Sequence, residues 1–195
     1  MTENKYLSDI TTDELNNYKQ GSFQGKILTV ESSENFHYYL EILKKQKYLG
    51  FDTETKPSFK KGKRNRVSLL QLAFDNTAIL FRINKIGLPS GLLEILSDPD
   101  IIKAGVAVNN DLRILRNVTE FTPAGFVDLQ NMAKEYGIES TSLKKLTAII
   151  LGFRISKRQQ VTNWNADVLS DAQKIYAATD AWVCYEIYQK LKEKE

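Results

Sequence analysis

The spacing of apolar and polar positions changes along the chain, and each change predicts an element. Lys26 to Val30 reads as a first strand. Phe36, Tyr39-Leu40 and Leu43 then recur at helical spacing to Lys45, with Ser32-Ser33 placed to cap that helix. Tyr48 to Glu54 begins with apolar residues and has strand length. Val67 to Phe74 and Thr77 to Ile83 predict two more strands around the turn dipeptide Asp75-Asn76, which makes a three-strand meander. Pro89-Ser90-Gly91 precedes a short helix through Leu96, and the apolar run Ile101 to Val108, with Gly105 inside it, predicts the next buried strand. Asn109-Asn110-Asp111 opens a helix carrying Leu112, Ile114, Leu115 and Val118, and Asp128 precedes a helix from Gln130 to Tyr136. Thr141-Ser142 caps a helix from Leu143 to Leu151 that ends at Gly152. Ser170-Asp171 caps a last helix reaching about Lys192, with Ile175, Ala178, Trp182, Ile187 and Leu191 as its core face. Before all of these, Thr11-Thr12-Asp13-Glu14 caps a short helix through Tyr18. A meander followed by strand–helix alternation predicts an α/β fold.

A length of 195 residues suits one domain, with residues 1–25 as an N-terminal extension and 26–195 as the domain proper. The single cysteine, Cys184, excludes an internal disulfide and reads as a core residue. Neither a signal peptide nor a membrane-spanning run is visible, so a cytoplasmic protein with no membrane partner is expected. The net charge of +3 selects no partner, but its distribution does. Lys56 to Arg66 is densely basic, and Lys60, Lys61, Lys63, Arg64 and Arg66 are candidate phosphate contacts just beyond the Tyr48–Glu54 strand. Lys157 and Arg158 are further candidates. Trp164 reads either as a base-stacking platform or as the anchor of its polar loop to the core.

The candidate chemistry is acidic. Asp52 and Glu54 stand two apart on one strand, so both carboxylates emerge on the same face. Crowded there they repel one another and lose hydration, and a hard divalent cation relieves both penalties. Asp111 stands at a strand-to-helix junction, where it either caps the helix or faces those carboxylates; capping is the role expected of Asp128. Tyr176 and Asp180 are i and i+4 on the last helix and share a face. The only histidine, His37, lies among polar neighbours on another helix and reads as a surface residue.

These positions carry a family resemblance. Phe51-Asp52-Thr53-Glu54-Thr55, Ala104 to Asp111, and Tyr176-Ala177-Ala178-Thr179-Asp180-Ala181 resemble the three motifs of the DEDD 3′–5′ exonucleases. That group includes ribonuclease D and proofreading polymerase domains. Arg66 to Leu72, Phe126 to Leu129, Val161 to Trp164 and Leu169 to Gln173 resemble the Werner-syndrome-type exonuclease domains most of all. The likeness runs from about residue 26 to the end. Tyr176 in place of a histidine marks the tyrosine subgroup. The resemblance implies a ribonuclease H-like fold, with a mixed sheet of about five strands flanked by helices. It implies two Mg²⁺ or Mn²⁺ ions held by Asp52, Glu54, Asp111 and Asp180, and Tyr176 orienting the attacking water. Phosphodiester bonds would then be cut from the 3′ end with release of nucleoside 5′-monophosphates. DNA is the expected substrate ahead of RNA. The alternatives are ribonuclease D-like trimming of RNA, degradation of short oligonucleotides, and a binding module that does not cut. A separate helicase or polymerase is a candidate partner that no residue identifies.

Overall fold

A computed structural model describes residues 5–57 and 66–193. Its centre is one mixed sheet of six strands in the order β1-β4-β3-β2-β5-β6. The strands are β1 (Lys26–Val30), β2 (Tyr48–Thr55), β3 (Val67–Phe74), β4 (Thr77–Phe81), β5 (Ile102–Gly105) and β6 (Phe126–Asp128). The meander β2-β3-β4 is antiparallel, whereas β1 joins β4, β5 joins β2 and β6 joins β5 in parallel. The expected five strands become six because β6, three residues long, is too short to declare itself by period and exists through its ladder with β5.

The described residues also form eight helices: α1 (Thr12–Asn17), α2 (Phe36–Lys44), α3 (Ile83–Ile86), α4 (Ser90–Ser97), α5 (Val108–Arg116), α6 (Leu129–Glu135), α7 (Leu143–Leu151) and α8 (Asp171–Lys192). All eight residues of β3 are buried, as suits a central strand covered on both faces. Leu70, Leu72 and Phe74 point into a core shared with Leu40 and Leu43 of α2, Leu92 of α4 and Leu115 of α5. On the other face, Leu69 packs with Trp164 and Tyr176, and Ala73 packs with Ala178 and Ala181 of α8. Small side chains on both partners let α8 lie close over the middle of the sheet.

Gly50 sets how close. A Cβ there would fall 1.9 Å from the Ala181 carbonyl oxygen and 2.7 Å from the Tyr185 nitrogen. Only a glycine on β2 allows this contact, and it brings the middle of α8 down beside the residues that follow Gly50.

Several boundaries differ from expectation for local reasons. Helix α2 is entered through Asn35 in the left-handed region (φ 55), not capped by Ser32-Ser33. Strand β5 ends at Gly105, where the chain turns through Ala107 (φ 56) and α5 begins at Val108. Asp111 therefore lies inside the first turn of α5 and does not cap it. Strand β4 stops at Phe81 because the short α3 starts at Ile83. The core face of α8 is also wider than expected. Ile175 is 39% exposed, while Tyr176, Asp180 and Cys184 are buried. A helix seated over the centre of a sheet is enclosed around more of its circumference than an edge helix.

The other caps form as the sequence predicts. Thr11 and Glu14 make a capping box on α1, as do Ser170 and Gln173 on α8. Ser142 caps α7, Asp128 caps α6, and Gly152 (φ 80) closes α7 in the left-handed region that favours glycine. The segment before β1 packs onto this scaffold. Ile10 and Leu15 sit against Ala148 of α7, and Phe23 sits against Ala178 and Trp182 of α8. His37 is exposed on α2.

Candidate active site

The β2 residues that alternate with Phe51 and Thr53 face α8, so Asp52 and Glu54 follow Gly50 on that side. Tyr176 and Asp180, one helical turn apart, come down onto them. Asp52, Glu54 and Asp180 each offer one oxygen, and these oxygens all lie within 4.8 Å of one another. Asp111 stands outside this trio. Thr53 donates its hydroxyl hydrogen to Asp111 Oδ1 at 2.5 Å. The middle residue of the Asp-Thr-Glu run thus holds the fourth acid from the opposite face of the same strand.

Burial first, and then the neighbouring carboxylates, raise the proton affinity of these acids. Asp52 is pushed well above the ordinary carboxylate range by desolvation and by Asp180, Asp111 and Glu54. Glu54 is pushed to about 9 by desolvation and by Asp180 and Asp111. Asp180 rises to about 7 and Asp111 to about 6, both chiefly through burial. Lys157 and a hydrogen bond from Tyr176 act in the other direction on Asp180, as does the Thr53 hydroxyl on Asp111. Burial and the Asp180 charge raise the Tyr176 phenol far above its usual range, so it is neutral at every physiological pH.

Such a set fits a hard divalent cation. Every donor is an oxygen, the carboxylates are crowded at a cost in free energy, and Asp180 Oδ1 is buried with no hydrogen-bond partner among the described residues. Asp52, Glu54, Tyr176 and Asp180 line a cavity of about 270 Å³, together with Lys144 and Lys157. Lys144, on α7, carried no signal in the sequence, because one lysine on a helix surface resembles any other. Thr53 was similarly hidden, since β propensity alone accounts for a threonine on a strand.

The remaining candidates divide. Lys157 is exposed at the cavity, and Arg158 lines an adjoining one that shares Tyr176 and Ser156 with it. Arg66 is exposed at the start of β3. Lys60, Lys61, Lys63 and Arg64 lie outside the described residues. Trp164 is wholly buried against Leu69, Leu80 and Tyr176, which corrects its reading as a stacking platform. It anchors its loop, and other contacts pin that loop as well. Ser68 donates to Asn165, the wholly buried Arg82 donates to the carbonyls of Ala166 and Asp167, and Gln173 donates to the Asn163 carbonyl.

A mixed sheet of this order, with acids from a central strand meeting acids from a covering helix, has the architecture of the ribonuclease H-like 3′-5′ exonuclease domains. The sequence matches the profile of the 3′-5′ exonuclease family over residues 27–194, and the chain belongs to that family. It is 37% identical over 149 residues to the mouse bifunctional 3′-5′ exonuclease/ATP-dependent helicase WRN, a match covering 73% of this chain and 11% of that protein. Among solved structures, Escherichia coli RNase D superimposes with a TM-score of 0.78 at 25% identity, over 87% of this chain and 45% of that one. The EXD2 exonuclease domain soaked in Mg and GMP gives a TM-score of 0.51 at 30% identity, over 86% of this chain and 89% of that one. The chain thus corresponds to about a tenth of the mouse protein and under half of the RNase D chain.

Proposed function

We propose that this chain hydrolyses nucleic acid from the 3′ end and releases nucleoside 5′-monophosphates, using two Mg²⁺ or Mn²⁺ ions, with DNA as the preferred substrate. The observation that carries the reading is the meeting of Asp52, Glu54 and Asp180 within 4.8 Å beneath Tyr176. These three would hold the ions, with Asp111 serving the second. Such ions would supply an activated water and charge stabilisation for the leaving oxygen. The chain's own residues do the rest. Tyr176, as a neutral phenol, donates a hydrogen bond that orients the attacking water, and its high proton affinity excludes base catalysis by phenolate. Lys157, exposed beside Asp180, offers a positive charge to the substrate phosphate. Lys144 lines the same cavity and is placed to do likewise.

DNA is put first because the closer sequence likeness is to the Werner-type domains. RNA is the second reading, favoured by the structural likeness to RNase D, an exoribonuclease. A separate helicase or polymerase would supply the strand end in either case. The test uses 5′-labelled strands of one sequence as single-stranded DNA, recessed-3′ duplex DNA and RNA. Each is incubated with Mg²⁺, Mn²⁺ or EDTA, with Asp52→Ala in parallel. We expect a ladder shortening from the 3′ end that needs metal and disappears in the folded Asp52→Ala variant. The same ladder from Asp52→Ala would overturn the assignment, and a faster RNA ladder would reverse the substrate order.

A further inference from the structure

Gln71 stands in the middle of β3 and pairs directly with Asp52 across the antiparallel ladder. Residues opposed in this way project their side chains from the same face, with Cβ atoms about 4.5–5.5 Å apart. The neighbours confirm the side. Leu69 and Ala73, two residues before and after Gln71, pack against Tyr176, Ala177 and Ala178 of α8 and against Trp164. Gln71 is therefore enclosed between the sheet and α8, beside the acidic trio. It is wholly buried, and neither its amide nitrogen nor its amide oxygen has a hydrogen-bond partner among the described residues. An orphaned buried amide costs desolvation free energy that a methionine or leucine of similar volume would not. Trp164 Nε1, on the same face of the sheet, is also buried with no hydrogen-bond partner among the described residues.

We infer that Gln71 is a positioning residue for Asp52: its amide, unpartnered here among the described residues, would donate to the Asp52 carboxylate once a cation is seated and fix the orientation that holds the ion. The inference rests on the metal-dependent reading above. Carboxylates that bind metal are themselves held by hydrogen bonds from a surrounding shell, and removing such a partner typically lowers metal affinity or activity about 10–100-fold. The other polar side chains that line the cavity with Asp52, Lys144 and Lys157 among them, include residues of α7 and of the loop before α8. Gln71 is the side-chain amide set beside Asp52 on the sheet itself.

The test compares wild type with Gln71→Met and Gln71→Leu, two apolar replacements of which at least one should pack. Mn²⁺ binding without substrate is measured by calorimetry, melting is followed in EDTA, and kcat and KM are measured on a DNA oligomer. We expect both variants to melt in EDTA at or above the wild-type temperature, to bind Mn²⁺ about tenfold more weakly, and to lose kcat while KM changes less than twofold. Unchanged Mn²⁺ affinity and kcat in a folded variant would overturn the inference, as would a large fall in melting temperature for both variants in EDTA, which would make the amide structural. If wild type itself neither bound Mn²⁺ nor cut, the proposed function would fail and the inference with it. If wild type did both and the variants matched it, the inference alone would fail.

Discussion

Tyr176 illustrates how one buried group acquires a role from its surroundings. The low dielectric beneath α8 and three carboxylates hold its phenol neutral, so it keeps the hydrogen that it can donate. Tyr176→Phe removes one hydrogen bond to a reacting group and little else, because the ring keeps its packing against Trp164. We expect kcat to fall about tenfold, the worth of one hydrogen bond to a charged or developing charge. Asp52→Ala should lose far more. Steady-state rates on one DNA oligomer, with melting curves alongside, check the ranking; wild-type kcat in Tyr176→Phe would remove the phenol from the mechanism. Thr53 belongs to the same reasoning, since its hydroxyl steadies Asp111 and leaves that acid more easily ionised.

Strand β2 and helix α8 make the site by approaching one another more closely than side chains ordinarily allow. Gly50→Ala would place a methyl group inside the Ala181 carbonyl, with backbone rather than a flexible side chain as the obstacle. The helix must then move away. Overpacking of this kind typically costs about 1–3 kcal/mol, and a displacement of about 1 Å in a catalytic constellation can cost a hundredfold in rate. We expect Gly50→Ala to unfold at lower urea concentration and to lose about a hundredfold in kcat. Unfolding curves and oligomer assays on the same preparation measure both, and a variant with wild-type activity would show that the close approach is not needed for the site.

Crowded acids link the stability of the entire fold to pH and to metal. Glu54 holds its proton to about 9 in the fold against 4.5 as its ordinary value, and Asp180 to about 7 against 3.8. A raised folded-state value favours the fold fully only below the unfolded value, and the benefit is lost as pH rises towards the folded one. The window here runs from roughly pH 4 to pH 9. In EDTA the melting temperature should therefore fall between about pH 5 and pH 8, and Mg²⁺ should restore it most at the upper end, where the ionised carboxylates bind the cation. Scanning calorimetry across that range tests this. A flat profile in EDTA would mean that the acids are not crowded in the folded protein.

Much of this protein follows from local pattern. The period of two on β2 places Asp52 and Glu54 on one face, the capping residues Ser142, Ser170 and Asp128 start the helices where they were expected, and i,i+4 spacing joins Tyr176 to Asp180. The motif spacing also sufficed for the family. What lay beyond reach was contact between residues distant in sequence. That Trp164 is enclosed rather than offered to a base depends on Leu69 and Leu80 arriving from two strands. That Thr53 holds Asp111 depends on where α5 starts, and a turn at Ala107 in the left-handed region decided that. That Gln71 faces Asp52 depends on the register of β2 with β3. Local propensity specifies an element and the direction of its side chains. Register, and the distance between a helix and a sheet, are fixed only when the whole core packs, and these decide which of the legible residues work together.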